Sequence, residues 1–193
     1  VYKSGKISED IFRNLGDHLD KNDCLVYNQT RVIRARLLFR KSTGALIEIF
    51  CLEPEAPADY ERNLSSGNEV RWRCLIGNRR KWKDGVLEMP LEINKKKISL
   101  IAEEVTRGRK DSVLSFSWSD DDISFSDILT FAGHVPIPPY LKREDEELDK
   151  KRYQTIYSRI AGSVAAPTAG LHFTDELLAR IRERGIRTEA LTL

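Results

Sequence analysis

Apolar side chains recur at every second position from Val70 to Ile76, and this two-residue period most constrains the fold. Successive side chains of a β-strand point to opposite faces of a sheet, so the pattern indicates a strand with one buried face. Further strand-like segments are bounded by turns such as Ser42-Thr43-Gly44 and Lys83-Asp84-Gly85: residues 36–40, 45–52, 86–91, 97–104 and 113–118. Short strands spaced in this way predict a small β-barrel or sandwich between about residues 37 and 119.

The flanking segments mix helical and strand patterns. Residues 8–19 predict a short amphipathic helix or turn, and residues 24–27 predict a buried strand. Later in the chain, helices are predicted to begin at Ser126, to cover residues 144–161 and to begin at Thr174, and residues 187–193 predict a strand with no visible partner. The order predicts an α+β, β-rich fold, in which a small β-barrel-like domain (residues 37–119) is inserted into a discontinuous α/β domain (residues 1–36 and 120–193).

The charge distribution suggests a class of partner without identifying one. The formal net charge is +2, but residues 69–110 contain twelve Lys and Arg against six Asp and Glu, and residues 111–150 contain three against ten. The basic block also contains Trp72 and Trp82, so it could bind RNA by phosphate contacts and base stacking. The alternation favours Trp72 as a core residue, whereas Trp82 lies near the predicted turn and is expected to be exposed. Two ordinary solvated surfaces are the simpler explanation.

The cysteines and the hydropathy argue against zinc-binding, secreted and membrane-spanning proteins. Cys24, Cys51 and Cys74 are odd in number, form no CxxC pair and have apolar neighbours, which favours reduced core thiols. No apolar run is long enough to span a bilayer, and residues 1–5 lack the apolar segment of a signal peptide. We therefore expect a cytoplasmic protein without a metal site or a membrane contact.

Residues 160–173 form the most unusual stretch, because they carry no charged side chain and are rich in Ala, Gly, Ser and Thr. Small residues let a backbone approach a ligand closely, and this stretch leads into a helix start, where free amides favour an anionic group. Its candidate donors and acceptors are Ser163, Thr168 and His172. A tightly packed, buried connection is the alternative.

His134 and Arg31 also stand where binding residues are common. Neighbouring prolines stiffen the backbone around His134, which suits a site residue, although an aromatic–proline packing cluster is the alternative. Arg31 follows a predicted strand, at the position where open sheets usually bind ligands. Arg31, Arg34 and Arg36 could hold a phosphate or a carboxylate, or they could be strand-edge charges.

Four segments together carry a family resemblance. They are residues 25–37, LVYNQTRVIRARL; residues 44–54, with Glu48 and Leu52-Glu53-Pro54; residues 133–143, GHVPIPPYLKR, followed by Asp149 and Arg152-Tyr153-Gln154-Thr155; and residues 162–174, GSVAAPTAGLHFT. In sequence, order and separation they resemble the S-adenosylmethionine:tRNA ribosyltransferase-isomerase family of queuosine biosynthesis. The last two segments are long and specific, and the similarity is faint from residue 56 to residue 131.

The resemblance implies transfer and isomerisation of the ribosyl group of S-adenosylmethionine. The acceptor would be the 7-aminomethyl-7-deazaguanine base at the tRNA wobble position, and the product epoxyqueuosine-tRNA. S-adenosylmethionine and tRNA are the implied partners, with no other cofactor and no metal. Carried over to this sequence, the resemblance suggests His172 and His134 as proton-handling groups. The suggested substrate-binding residues are Arg31, Tyr140, Gln154, Thr155, Ser163 and Thr168.

Family members are much longer than this chain, and they typically have Pro where this chain has Arg34. We therefore expect the 193 residues by themselves to bind substrates poorly and to turn over slowly or not at all. Two alternatives remain. One is a non-catalytic tRNA-binding module that uses the basic block, and the other is a paralogue that keeps the fold for another ribosyl-like or methionine-derived chemistry.

Overall fold

The structure is a computed structural model that describes residues 2–3, 5–136, 145–146, 148–165 and 167–192. Its strands are β1 (Tyr2–Lys3), β2 (Lys6–Ile7), β3 (Cys24–Asn28), β4 (Thr30–Val32), β5 (Arg36–Arg40), β6 (Leu46–Ala56), β7 (Glu69–Gly77), β8 (Leu87–Ile93), β9 (Lys96–Arg107), β10 (Ser112–Ser117), β11 (Ile160–Ser163) and β12 (Arg187–Leu191). Its α-helices are α1 (Tyr60–Leu64), α2 (Phe125–Ala132), α3 (Asp149–Arg152) and α4 (Asp175–Glu183). Short 3-10 helices cover Phe12–His18, Arg79–Lys81 and Thr168–His172.

Strands β5 to β10 form one antiparallel sheet in the order β5-β6-β7-β10-β9-β8. Strand β5 also contacts β8, so the sheet nearly closes into a barrel. The two-residue alternation explains this architecture, because it directs one face of the strands inward. In β7, Val70, Trp72 and Cys74 are buried, whereas Arg71 and Arg73 are exposed. The predicted β-rich α+β fold with a barrel-like unit is confirmed.

Helix α2 packs on the barrel core through Phe125, whose ring lies 5.5 Å from that of Phe116 and 5.8 Å from that of Trp72, between centroids. The helix begins after Ser124, not at Ser126 as predicted. The reason is a capping box: Asp127 N donates to Ser124 Oγ at 3.1 Å, and the Asp127 carboxylate accepts from Ser124 N at 3.0 Å. These reciprocal bonds satisfy backbone donors at the helix start.

Two parallel strand pairs join segments from before and after the barrel. Strand β12 pairs with β3, and β11 pairs with β4. The last strand, for which the sequence shows no partner, therefore pairs with β3, which lies far away in sequence where local patterns cannot show it. The division into an inserted and a discontinuous domain stays a prediction about folding units.

Helix α4 confirms the pattern that begins at Thr174. The Thr174 side chain accepts a hydrogen bond from Leu177 N at 3.2 Å, as expected of an N-cap residue. Leu177 and Ile181 are buried and pack with Phe12 and its neighbours in a second, smaller core. Gly185 follows the helix with φ of +78°, a left-handed conformation that favours glycine.

Residues 144–161 do not form one helix, contrary to the prediction. Within the described part of this range only α3 is α-helical, and the chain then turns into β11. Aromatic and β-branched residues supply the apolar period, and they favour helices weakly. Tertiary partners stabilise the alternative: Tyr157 packs on Tyr27 with ring centroids 4.5 Å apart, and Ile160 pairs with Thr30.

Trp82 and the strand around Cys24 also differ from the prediction. Trp82 is only 3% exposed, because its Nε1 donates to Gly85 O at 3.0 Å and the polar edge of the ring can therefore be buried. Cys24 is exposed and Val26 is 53% exposed, since a two-stranded sheet leaves much of β3 uncovered. Cys51 and Cys74 are buried, as expected of core thiols.

Candidate active site

His134 stands where the end of α2 crosses the beginning of the barrel. The backbone of Gly133 passes so close to its neighbours that an added Cβ would collide with the carbonyl oxygens of Arg34 and Leu129, so only glycine fits. His134 N then donates to Arg36 O at 2.8 Å, which forms an isolated antiparallel bridge. The backbone on the N-terminal side of the imidazole is thereby held on β5.

A single carboxylate holds both the ring and the backbone after it. Asp145 Oδ1 lies 2.8 Å from His134 Nδ1, and Asp145 Oδ2 accepts from Val135 N at 2.9 Å. The Asp145 side chain is 7% exposed, whereas that of His134 is 40% exposed. An ionised carboxylate only accepts hydrogen bonds, so Nδ1 carries the proton and the lone pair of Nε2 is left for other chemistry. This arrangement fits a general base with a fixed tautomer.

His172 has a different environment from His134. It ends the Thr168–His172 helix, is exposed, and packs its ring 5.4 Å from the ring of Phe12, between centroids. Among the residues that the structure describes, no hydrogen bond or ring contact joins the two imidazoles. The role of His172 as a second proton-handling group stays a prediction.

Two polar residues predicted to bind substrate lie just after α3: Gln154 is half-buried and Thr155 is buried. Gln154 Oε1 accepts from Val32 N at 3.0 Å, and Gln154 Nε2 donates to Val32 O at 2.7 Å, so its amide extends the edge of β4. Thr155 is 5% exposed, and its hydroxyl has no hydrogen-bond partner among the described residues. We therefore assign Gln154 a structural role, and its predicted contact with substrate stays a prediction.

The described part of residues 160–173, the stretch without charged side chains, is partly exposed. Gly170 and Phe173 of this stretch contact Tyr157. Ser163 Oγ donates to Ala165 O at 2.9 Å, Thr168 is exposed, and Tyr140 lies outside the described residues. Gly170 is buried against the hydroxyl of Tyr157, where a larger residue would clash. Burial, with a smaller effect of Tyr27, raises the pKa of Tyr157.

A cleft of about 320 Å³ separates β4 from α2. Arg31 and Arg34 line it, with apolar groups that include Leu129 and Val135. Arg34 Nη1 donates to Thr130 O on the helix side of the cleft. No carboxylate lines the described wall of this cleft, so it is positively charged.

Five of the twelve basic residues between positions 69 and 110 form described ion pairs: Arg71, Arg73, Arg79, Lys96 and Arg107. Arg73 lies 3.2 Å from Glu53, Lys96 lies 2.9 Å from Asp120, and Arg79 pairs closely with Glu104. Although burial raises the pKa of Glu104, hydrogen bonds led by that from Arg79 lower it overall. Trp82 is buried, but the other seven basic residues are exposed without a described ion pair, so the block keeps free charges for a polyanion: Arg80, Lys81, Lys83, Lys95, Lys97, Arg109 and Lys110.

Sequence reasoning missed Asp145, which lies in the acidic run of residues 144–147 and has no local feature that marks it. The one feature that could have suggested a carboxylate partner for His134 is that this acidic run lies about ten residues after it in sequence. In the described part of the chain, no group of three or more His, Cys, Asp or Glu is arranged to bind a metal ion. None of the helices described has the length and apolarity needed to cross a membrane.

Comparison with known proteins gives the affiliation. The family model described as "Queuosine biosynthesis protein" matches residues 1–193. The chain is 42% identical over 186 residues to the S-adenosylmethionine:tRNA ribosyltransferase-isomerase of Trichlorobacter lovleyi, which covers 96% of this chain and 49% of the relative. Proteins of the same name from Pelobacter propionicus and Aquifex aeolicus are 41% and 37% identical, over 99% of this chain and 50% and 51% of theirs. The chain spans about half the length of these relatives, and it belongs to the queuosine biosynthesis protein family.

Proposed function

We propose that the chain provides part of the active site of an S-adenosylmethionine:tRNA ribosyltransferase-isomerase. The acceptor is the 7-aminomethyl-7-deazaguanine base at the wobble position of a tRNA, and the product is epoxyqueuosine-tRNA. The similarity to enzymes of this name along nearly the whole chain supports the reaction class. The observation that carries the mechanism is the contact of His134 Nδ1 with Asp145 at 2.8 Å, which directs the basic nitrogen Nε2 away from the carboxylate.

The chemistry of the donor suits such a base. The sulfonium of S-adenosylmethionine acidifies the hydrogens on the neighbouring C5′, so an imidazole is basic enough to remove one of them. The proton moves to His134 Nε2, and Asp145 stabilises the imidazolium that forms. Asp145 is largely shielded from water, which strengthens this interaction. Methionine leaves with the electrons of the C5′–S bond, and adenine leaves with those of the glycosidic bond. Two protons are lost, one from C5′ and one from the acceptor amine as its new C–N bond forms; one of them goes to adenine and the other to solvent.

The proposal includes no metal and no further cofactor, because S-adenosylmethionine itself carries the activated ribosyl group. The acceptor base lies in an anticodon loop, where an unpaired base can turn into a protein pocket. His172, Tyr140, Thr155, Ser163 and Thr168 stay candidates for contacts with the nucleoside or the base. A tRNA-modifying enzyme of this kind acts in the cytoplasm.

The test uses a chimera in which this chain replaces the matching half of the Trichlorobacter lovleyi enzyme. We expect release of free adenine that requires both S-adenosylmethionine and the precursor tRNA. His134→Ala should lower the rate by about a hundredfold or more, the usual contribution of a general base. His18→Ala, which removes a histidine outside the proposed site, is the matched control and should leave the rate unchanged.

Three outcomes would contradict the proposal. One is a folded chimera that binds S-adenosylmethionine and tRNA but releases no adenine. The second is adenine release that does not depend on tRNA. The third, an unchanged rate in His134→Ala, would remove His134 as the base.

A further inference from the structure

We propose that the cleft between β4 and α2 binds an oxyanion group of a substrate, and that Arg31 and Arg34 hold this group. The substrate's identity rests on the proposed function. The oxyanion is either the carboxylate of S-adenosylmethionine or a phosphodiester of the tRNA. A carboxylate is a planar group and a phosphodiester is a tetrahedral one, and guanidinium groups bind the oxygens of both.

The charges in the cleft support the inference. Arg31 has no ion pair or hydrogen bond through its side chain in the part of the chain that is described. Some other arginines of the fold pair with glutamates, as Arg36 does with Glu48 and Arg73 with Glu53. An unpaired guanidinium beside a second one, in a concave surface without a carboxylate on its described wall, attracts anions.

The second arginine is already oriented. Arg34 Nη1 donates to Thr130 O, which holds the guanidinium at the cleft and leaves its other N–H groups for a ligand. Ser126 and Thr130 follow one side of α2 and add hydroxyl groups to the wall. Their hydroxyls can donate to the same oxyanion.

The size of the cleft and its apolar wall favour an anionic group that is part of an organic molecule over a free inorganic ion. A volume of about 320 Å³ lies at the lower end of the range for small-molecule sites, enough for an amino-acid moiety or one nucleotide unit. Leu129, Val135 and Ala161 supply apolar surface. Gln154 also lines the cleft, but its amide is bound to Val32, so it shapes the wall.

The cleft adjoins the candidate base through the backbone. Val135 lines the cleft and directly follows His134, and the tight contact of Gly133 with Arg34 O joins the two segments. An oxyanion in the cleft would therefore anchor a substrate near the imidazole and position it for reaction.

The experiment measures dissociation constants by amide NMR titration of the chimera described above, because the 193 residues by themselves are expected to bind substrates poorly. The probes are S-adenosylmethionine, its decarboxylated analogue, inorganic phosphate and a short anticodon stem-loop RNA. Arg31→Gln is the main variant, since the Arg31 side chain supports no described contact of the fold. Arg34→Gln is the second variant. Arg40→Gln is the control, because Arg40 is also exposed but lies on β5 outside the cleft.

We expect Arg31→Gln to weaken binding of one anionic probe by about tenfold or more, the usual effect of removing a hydrogen bond to a charged group. If the carboxylate is the ligand, the wild-type chimera prefers S-adenosylmethionine over the decarboxylated analogue and Arg31→Gln loses this preference. If the phosphodiester is the ligand, Arg31→Gln lowers the salt slope of RNA binding by about one.

The inference is overturned if Arg31→Gln binds all four probes as tightly as Arg40→Gln, or if the shifted amides lie away from β4 and α2. Its failure is distinguishable from failure of the proposed function. Unchanged affinities in Arg31→Gln, together with loss of adenine release in His134→Ala, would reject the cleft and keep the reaction.

Discussion

Two histidines of this chain contact a carboxylate through opposite ring nitrogens. His134 uses Nδ1 toward Asp145 at 2.8 Å, whereas His18 uses Nε2 toward Asp10 at 2.7 Å. The hydrogen bond from His18, with others from Asn14 and Ile11, lowers the pKa of Asp10. Since a carboxylate accepts but cannot donate, each pair fixes a different tautomer of the neutral ring.

The residue-scale prediction is that Asp145→Asn reverses the tautomer of His134. Val135 N–H holds one oxygen of the Asp145 carboxylate, so the amide oxygen of the substituted side chain should remain there and its NH₂ should face Nδ1. We expect long-range ¹H–¹⁵N NMR at alkaline pH to show the Nδ1–H form in the wild type and the Nε2–H form in the variant. Adenine release by the chimera should fall with it.

The matched control is Asp10→Asn, which should alter only the signals of His18. With three histidines in the chain, each ring can be assigned by single substitutions. An Nε2–H tautomer of His134 in the wild type would contradict the positioning role of Asp145, whatever the activity.

At the scale of elements, the short strand β4 depends on a side chain from another segment. One edge of β4 pairs with β11, and at Val32 the opposite edge is occupied by the Gln154 amide. Val32 is 6% exposed, so its N–H and C=O have little access to water. The single pair of hydrogen bonds therefore joins the segment after α3 to the strand that carries Arg31.

We predict that Gln154→Ala destabilises the chain by about 2 kcal/mol, because buried backbone groups that lose their partners cost about 1–3 kcal/mol. Urea unfolding followed by circular dichroism measures the change. Gln29→Ala is the control, since the one side-chain bond described for the Gln29 amide is long, 3.3 Å to Thr192 Oγ1. Its effect should stay within about 0.5 kcal/mol. Equal stability of the two variants would show that β4 does not need the amide.

At the scale of the whole molecule, the barrel contains the larger of the two described hydrophobic cores. Cys51 and Cys74 face each other in register on β6 and β7, and both are fully buried. Burial raises the pKa of the Cys74 thiol. Burial excludes reagents from both residues. Because the thiolate is the reactive form, the raised pKa protects Cys74 further.

We predict that a thiol reagent labels Cys24 at once and labels Cys51 and Cys74 only when the barrel unfolds. Mass spectrometry at increasing urea concentration measures the order of modification. In Cys24→Ser, the fast labelling should disappear. The remaining labelling, of Cys51 and Cys74, should have the same urea midpoint as the unfolding transition. Fast modification of all three thiols in water would mean that the barrel opens readily, against the closed core described above.

The local sequence determined the barrel, the Thr174 helix and the buried Trp72, because a two-residue or helical period and a capping residue act over a few positions. Local sequence also indicated His134 and Arg31 as site residues, His134 because of its neighbouring prolines and Arg31 because of its position after a predicted strand. Tertiary structure decided the parallel pairs of β11 and β12, the end of α3 and the burial of Trp82. It also selected Asp145 among neighbouring acidic residues and gave Gln154 a backbone partner. Each of these depends on contacts between segments far apart in sequence, which overrule local propensity and which no local pattern encodes.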